Sequence, residues 1–219
     1  WLIEEFMLLA NRTVAEFVAT GCRGTGDAPA KGARKQAKTF VYRVHDEPNQ
    51  EKVENLRNFI GNFGYKMGPT NSGKEISKEL NSLFAAAKDT PEYNAIELLS
   101  LRTMAKARYD TENLGHYGLA FKYYTHFTSP IRRYPDMLVH RLLAQYLEGG
   151  ESARKETYDK LCKHASEREI VAAEAERASI KYKLVEFMQD KVGYTFGGHI
   201  SGLTEWGMYV EIEPTMIEG

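Results

Sequence analysis

The sequence predicts an α+β chain, with a helix-rich portion over residues 1–190 and a short β portion over residues 191–219. Two observations predict the helices. Apolar residues recur every three or four positions in several segments, and a long stretch after Gly150 mixes acidic and basic residues. A third observation predicts the strands, because apolar and polar residues alternate between glycines beyond Gly193.

The first predicted element is a helix from Trp1 to about Val18, in which the apolar residues Leu2, Phe6, Leu9 and Phe17 recur at helical spacing. Polar residues on its other faces give the pattern of a buried helix with a polar seam. Residues 21–38 are rich in Gly, Ala and Lys and predict a loop, which either is solvated or contacts a polyanion. Residues 40–45 favour a short strand through their β-branched and aromatic content.

Three scaffold helices are predicted next. The first begins near Pro48 and ends at Gly64. Ser72 and Glu75 have capping-box spacing for the second, and Thr90 followed by proline opens the third. An aromatic segment then separates these helices from two more.

The next helix is predicted to begin at Ser129 and Pro130 and to run to about Gly149. The long charged stretch after Gly150 predicts a helix to about Lys191, with a solvated face crossed by local ion pairs.

Composition restricts the class of protein. The chain has 219 residues, 29 basic against 30 acidic side chains and a formal net charge of −1, which excludes a uniformly basic nucleic-acid wrapper. No apolar run approaches the roughly 18 residues that span a bilayer, and the sequence shows no basic-then-apolar leader with a small-residue cleavage site, so no membrane partner and a cytoplasmic location are expected. Cys22 and Cys162 are too far apart for a zinc knuckle, and free thiols are expected.

The segment from His126 to Arg141 carries the strongest functional signal. If Thr128 or Ser129 caps a helix that starts at Pro130, free backbone N–H groups there create positive potential that attracts phosphate. Arg132 and Arg133 add guanidinium groups that can grip two phosphate oxygens at once. The alternative is an ordinary helix cap followed by surface arginines that pair with Asp136 or with other acids.

The neighbouring aromatic and histidine side chains leave two further alternatives open. Phe121, Tyr123 and Tyr124 could stack on bases of single-stranded nucleic acid or could fill the core. His116, His126 and His140 could bind a metal with Asp136, but they lack tight ligand spacing, and hydrogen-bonded structural histidines are the favoured interpretation.

The run HYGLAFKYYTHFTSPIRRYPDMLVHRLL, residues 116–143, closely resembles the signature of the RNase II/RNase R (RNB) family of 3′-to-5′ exoribonucleases, with the bacterial RNase R branch nearest. LIEEFMLLAN near the start, FVYRVHDEP and LRTMAKARY are similar to other family segments in the same order. AERASIKYKLVEFMQDKVG resembles the helix that closes the catalytic domain, and GGHISGLTEWGMYVEI resembles the opening strands of an OB-type S1 β-barrel. The resemblance therefore implies the C-terminal part of an RNB catalytic domain over residues 1–190 and the start of an S1 domain over residues 191–219.

This resemblance implies processive hydrolysis of single-stranded RNA, with no DNA substrate expected, to nucleoside 5′-monophosphates. In the family, clustered aspartates bind Mg²⁺, which activates the attacking water. The aspartates of this chain are scattered, so the Mg²⁺ ligands are expected upstream of Trp1 and none within it. The chain is expected to be a piece of a longer protein and to be inactive alone.

The resemblance also implies roles for individual residues. Arg132 occupies the position that contacts the scissile phosphate and is the predicted catalytic residue, with Thr128, Ser129 and Arg133 as supporting RNA-binding candidates. Glu4 or Glu5 is expected to bond the ribose and to help distinguish RNA from DNA. Glu176 is expected near the substrate, although an ion pair with Arg177 or Lys183 would also explain it. A non-catalytic RNA-binding protein on the same scaffold is the alternative function.

Overall fold

The computed structural model describes residues 1–21, 37–68, 70, 72–213 and 215–219. Within these residues the helices are α1 (Leu2–Ala19), α2 (Gln50–Gly61), α3 (Gly73–Ala87), α4 (Tyr93–Thr103), α5 (Tyr134–Leu147) and α6 (Lys155–Met188). The strands are β1 (Tyr42–Val44), β2 (Arg108–Asp110), β3 (Gly198–Thr204), β4 (Gly207–Ile212) and β5 (Ile217–Glu218). This composition confirms the predicted α+β class. The loop predicted over residues 21–38 lies almost wholly outside the described residues, as does Cys22.

The chain divides into two compact units, Trp1–Ser166 and Glu167–Gly219, and α6 contributes residues to both. In the first unit β1 and β2 form an antiparallel ribbon that pairs Tyr42 with Asp110. In the second unit β3, β4 and β5 form an antiparallel sheet in which each strand pairs with the next along the chain.

The core of the first unit is built around the β1–β2 ribbon. Its buried side chains come from the second half of α1, from β1 and the residues just before it, from α5 and from the start of α6, and they include Phe40, Val44, Leu142 and Tyr146. The Tyr146 hydroxyl donates to the carbonyl oxygen of Thr39 at 2.6 Å and so fixes the entry to β1. This core holds together the elements that flank residues 116–133.

Helices α2, α3 and α4 share a separate apolar cluster that includes Ile60, Ile76 and Ile96. The capping prediction at Ser72 is confirmed, because its hydroxyl accepts the backbone N–H of Glu75. The first of these helices begins later than predicted, since the Asn49 side chain accepts the N–H of Glu51 at 2.8 Å and caps α2 one residue beyond Pro48.

The structure corrects the prediction that α1 is a buried helix. Only Asn11, Ala15 and Val18 are buried in it, whereas most apolar residues of its first half are exposed: Leu2, Ile3, Phe6, Met7 and Leu9. The reason is that only the second half of α1 packs on the core around β1. Strand β2 was not predicted, because three residues carry too little periodic signal and its conformation comes from pairing with β1.

Two further observations concern possible membrane-spanning helices and the state of Cys162. Within the described ranges, no helix combines the length and the apolar character needed to cross a membrane. Burial raises the pKa of the Cys162 thiol to about 12, so this cysteine is neutral and unreactive at physiological pH.

Candidate functional site

Residues 129–133 form a separate turn in front of α5, which we call the arginine turn. The Arg133 N–H donates to the carbonyl oxygen of Ser129 at 3.1 Å, and α5 begins only at Tyr134. The prediction that the helix starts at Ser129 and Pro130 is therefore wrong. Two prolines compete for the first helical turn, and Pro135 takes that place while a buried carboxylate organises the residues before it.

That carboxylate belongs to Asp136, whose side chain is 0% exposed. Its Oδ2 atom accepts the backbone N–H of Ser129 at 2.8 Å and the Nη2 of Arg133 at 2.8 Å. The N-terminal turn of α5 is a favourable place for this negative charge, because its free N–H groups and the helix dipole are positive there. The pairing with Asp136 that the sequence left open thus applies to Arg133.

Arg132 differs from its neighbour. It is exposed, and across the described residues it has no hydrogen bond and no ion pair. The preceding Ile131 is also fully exposed, so the arginine turn projects both side chains away from the core. An unpaired guanidinium on a tethered turn is free to bind a phosphate.

Thr128 and Ser129 do not cap α5 as predicted. The helix has no side-chain hydrogen bond at its cap, and Ser129 contributes its backbone N–H to Asp136. The Thr128 hydroxyl is buried and has no partner within the described chain. Ser129 nevertheless belongs to the arginine turn, and Thr128 directly precedes it in the chain.

His126 lies at the base of the arginine turn, among aromatic rings and cationic side chains. Its Nδ1 is hydrogen-bonded to the Tyr109 hydroxyl at 2.9 Å, and the Arg43 guanidinium lies 4.7 Å from the centre of the Tyr109 ring. Burial, followed by the charges of Arg133 and Arg43, lowers the pKa of His126 to about 3. The histidine is therefore neutral at pH 7, and the positive charge here comes from arginines.

Sequence reasoning did not single out Arg43. The sequence did contain a usable pattern, because Arg43 stands between Tyr42 and Val44 in a predicted strand. Both of these neighbours are buried in the structure. That alternation places Arg43 on the opposite face of the strand, toward Tyr109 and His126.

We predict that acid destabilises the protein through its buried histidines. Burial also lowers the pKa of His116 to about 4, so between pH 6.5 and about 4 the unfolded chain binds protons that the folded chain does not. Stability should fall as pH falls through this window, by up to about 1.4 kcal/mol per pH unit for each histidine. Melting temperatures of the full-length protein between pH 7 and pH 4.5 measure the slope.

The variant His126→Phe should flatten that slope, because it removes a group that binds a proton in the unfolded chain but not in the folded chain over this window. His164→Phe, at an exposed position of α6, is the matched control and should keep the wild-type slope. An unchanged slope in His126→Phe would contradict the prediction.

Helix α1 is attached to the same segment through Asn11. The buried Asn11 amide accepts the backbone N–H of Phe127 at 3.0 Å and donates to the Tyr124 hydroxyl at 3.3 Å. Glu4 lies on the same helical face as Asn11, about 10 Å away along the axis. Both Glu4 and Glu5 are exposed.

Glu5 lies on a different side of α1 from Glu4. It lines a groove of about 240 Å³ together with Arg12 and Phe121. The Arg12 guanidinium lies 5.2 Å from the centre of the Phe121 ring. Glu4 and Glu5 therefore present carboxylates toward different surroundings.

We predict that Asn11→Ala loosens the segment before the arginine turn. The substitution leaves the half-buried Phe127 N–H and the Tyr124 hydroxyl without these partners, which should cost about 1–3 kcal/mol. Hydrogen exchange of the Phe127 amide in the full-length protein should accelerate accordingly. Asn58→Ala on the exposed face of α2 is the control, and equal acceleration in both variants would refute the role of Asn11.

Glu176 lies on α6 in the second compact unit, and Arg132 lies in the first. Glu176 is exposed, and the predicted alternative of an ion pair with Arg177 or Lys183 is not found among the described residues. Instead, Arg177 donates to the carbonyl oxygen of Ala173, and Lys183 pairs with Glu186.

The three histidines considered as metal ligands each use a ring nitrogen within the fold. His140 Nε2 is hydrogen-bonded to the Phe127 carbonyl oxygen at 2.8 Å, and His116 Nδ1 accepts the N–H of Leu119 at 3.2 Å. In the described part of the chain, no three His, Cys, Asp or Glu side chains are grouped so that they could hold a metal ion. These residues therefore do not fit a Mg²⁺ site.

Comparison with known proteins identifies the family. The RNB domain matches residues 1–149, and the chain belongs to the RNB family. Ribonuclease R of Aquifex aeolicus (strain VF5) is 38% identical over 224 residues, which cover 100% of this chain and 29% of that protein.

Solved structures of related proteins share the fold. RNase R of Mycoplasma genitalium in complex with ribose-methylated single-stranded RNA has a TM-score of 0.81 at 29% identity, and the match covers 100% of this chain and 33% of that chain. Yeast Ssd1, a pseudonuclease, has a TM-score of 0.73 at 27% identity, covering 99% of this chain and 26% of that chain. The chain thus spans about a quarter to a third of the length of these relatives.

Proposed function

We propose that this chain is part of a 3′-to-5′ exoribonuclease that hydrolyses single-stranded RNA processively to nucleoside 5′-monophosphates. The observation that carries the proposal is Arg132 on the arginine turn, which is exposed and has no partner in the part of the chain that the structure describes, within a chain of the RNB family. The structures of Mycoplasma genitalium RNase R with bound RNA support RNA as the substrate class. The proposed location is the cytoplasm.

Arg132 is the proposed catalytic residue. Hydrolysis to 5′-monophosphates breaks the P–O3′ bond at the scissile phosphate and leaves a 3′ hydroxyl on the shortened RNA. Negative charge on the phosphate oxygens is stabilised best by a donor that is already oriented and has no competing partner. Among the described residues Arg132 has no competing partner, whereas Arg133 already donates to Asp136. Thr128, Ser129 and Arg133 are proposed to support the RNA from the same segment.

We propose Mg²⁺ as the metal of the complete enzyme, with aspartate ligands outside this chain. The chain alone is proposed to be inactive, because its aspartates are scattered along the sequence. The contribution of this chain is to bind and orient the phosphate.

The remaining candidate residues have proposed roles in RNA binding. Glu4 or Glu5 is proposed to accept a hydrogen bond from the ribose 2′ hydroxyl, which would discriminate RNA from DNA. Glu176 is proposed to lie near the RNA, where its charge would favour release of product. Residues 1–190 are proposed to be the C-terminal part of the catalytic domain, and residues 191–219 the start of an S1 domain.

The test uses the full-length protein and a 5′-labelled single-stranded RNA of defined length, with and without Mg²⁺. Stepwise shortening from the 3′ end with release of 5′-monophosphates is the expected result. A single-stranded DNA of the same sequence is the control and should stay intact. Binding of the RNA without shortening would reject the proposal.

A non-catalytic RNA-binding protein is the second candidate, and the similarity to the pseudonuclease Ssd1 favours it. The two candidates differ in the parts of the full-length protein outside this chain. The enzyme needs several closely spaced aspartates there, whereas a pseudonuclease would bind RNA without them.

A further inference from the structure

We propose that Asp136 is a positioning residue, which fixes the arginine turn so that Arg132 meets the scissile phosphate. This inference rests on the proposed function, because it assigns a role to a side chain that acts through Arg132. Asp136 itself is fully buried and therefore does not touch RNA.

Asp136 closes the arginine turn at both ends. Its Oδ2 accepts the N–H of Ser129, the first residue of the turn, and the Nη2 of Arg133, the last residue, each at 2.8 Å. The backbone bond from Arg133 N–H to the Ser129 carbonyl oxygen, at 3.1 Å, joins the same two residues directly. Three hydrogen bonds thus hold the ends of the turn together, and Pro130 restricts the chain between them.

The same contacts separate the roles of the two arginines. Arg133 is 19% exposed and directs its guanidinium inward to Asp136. Arg132, one residue earlier, is exposed and unpaired within the described ranges. If Asp136 did not engage Arg133, two adjacent guanidinium groups could exchange places at the phosphate, and the backbone carrying Arg132 would lose its anchor.

Stability alone does not explain this partly buried ion pair. Burying a carboxylate and a guanidinium costs desolvation free energy that their attraction often fails to recover. The pair is also incompletely satisfied, because Asp136 Oδ1 and Arg133 Nε are buried without partners in the described chain. An ion pair that adds little to the free energy of folding, but joins both ends of the arginine turn, is better explained by the conformation that it imposes on that turn.

The test compares Asp136→Asn with Arg132→Ala in the full-length protein. Asparagine has nearly the same shape and can still accept the Ser129 N–H, but it carries no charge to hold Arg133. We expect kcat on single-stranded RNA to fall by about 10- to 100-fold, as small misplacements of catalytic groups do. The Kd for the same RNA, measured without divalent cation, should change by less than about threefold, because Asp136 makes no RNA contact.

The double variant Asp136→Asn with Arg132→Ala tests whether Asp136 acts through Arg132. Once Arg132 is gone, loss of Asp136 should reduce kcat little further, since residues that act as a unit are not additive. Glu54→Gln is the matched control. It breaks an exposed arginine–carboxylate pair of the same three-residue spacing on α2 and should leave kcat unchanged.

If Asp136→Asn does not fold, as judged by its melting curve, the test uses variants of Arg133, the other member of the ion pair. Arg133→Ala should lower kcat as Asp136→Asn would, and Arg133→Lys, which keeps a charge for Asp136, should restore most of it.

The outcomes separate this proposal from the proposed function. The positioning role would be overturned if Asp136→Asn kept the wild-type kcat while Arg132→Ala lost most of it. Where Arg133→Ala replaces Asp136→Asn, the same outcome applies to that variant. The exoribonuclease proposal would still stand in either case. Equal losses from Asp136→Asn with and without Arg132 would also overturn it, because Asp136 would then act independently. Wild-type kcat in Arg132→Ala would overturn the assignment on which both depend.

Discussion

Replacing Arg132 with alanine in the full-length protein is expected to lower kcat on single-stranded RNA by about 10²–10³-fold. This is the usual loss when one preorganised donor to a developing negative charge is removed. The Kd for RNA should change by only a few-fold, because many other phosphate contacts carry affinity. Single-turnover hydrolysis of a labelled RNA, together with binding measured without divalent cation, checks both parts.

Two control variants sharpen that experiment. Arg132→Lys keeps the charge but loses the planar fork, so its kcat should lie between those of wild type and Arg132→Ala. Arg141→Ala removes an exposed arginine of α5 outside the arginine turn and should leave kcat within about twofold. If Arg132→Ala weakened binding as much as it slowed hydrolysis, Arg132 would be a binding residue without a special role in the transition state.

Replacing Phe40 with alanine should have the largest effect on stability, about 3–5 kcal/mol. Phe40 is 0% exposed and lies in the core that joins α1, β1 and α5, so truncation leaves a cavity where these elements meet. Hydrogen exchange in the full-length protein, read from peptides that cover β1 and α5, measures the free energy of local opening.

Phe63→Ala provides the comparison for that loss. Phe63 is 47% exposed at the end of α2, and its removal should cost less than about 1 kcal/mol. Similar losses in the two variants, or a loss in Phe40→Ala confined to α2–α4, would contradict the role of Phe40 in the core around β1.

The sequence predicted a helix well where the residues that specify the helix lie in it or directly next to it. Ser72 caps the start of α3 and the charged stretch forms α6, so both predictions are confirmed. The start of α5 was wrong, because two prolines five residues apart each suit a first turn. The choice between them depends on a carboxylate whose partners are set by folding.

For the candidate site, the sequence by itself determined the chemistry of the arginine turn and the family to which the chain belongs. Residue types and their order carry that information directly. Only the tertiary structure decided that Arg133 pairs with the buried Asp136 while Arg132 has no partner among the described residues, and that Arg43 lies near His126. The physical reason is that burial and pairing depend on which distant elements meet. Arg43 and His126 are 83 positions apart in the chain, and no local pattern brings them together.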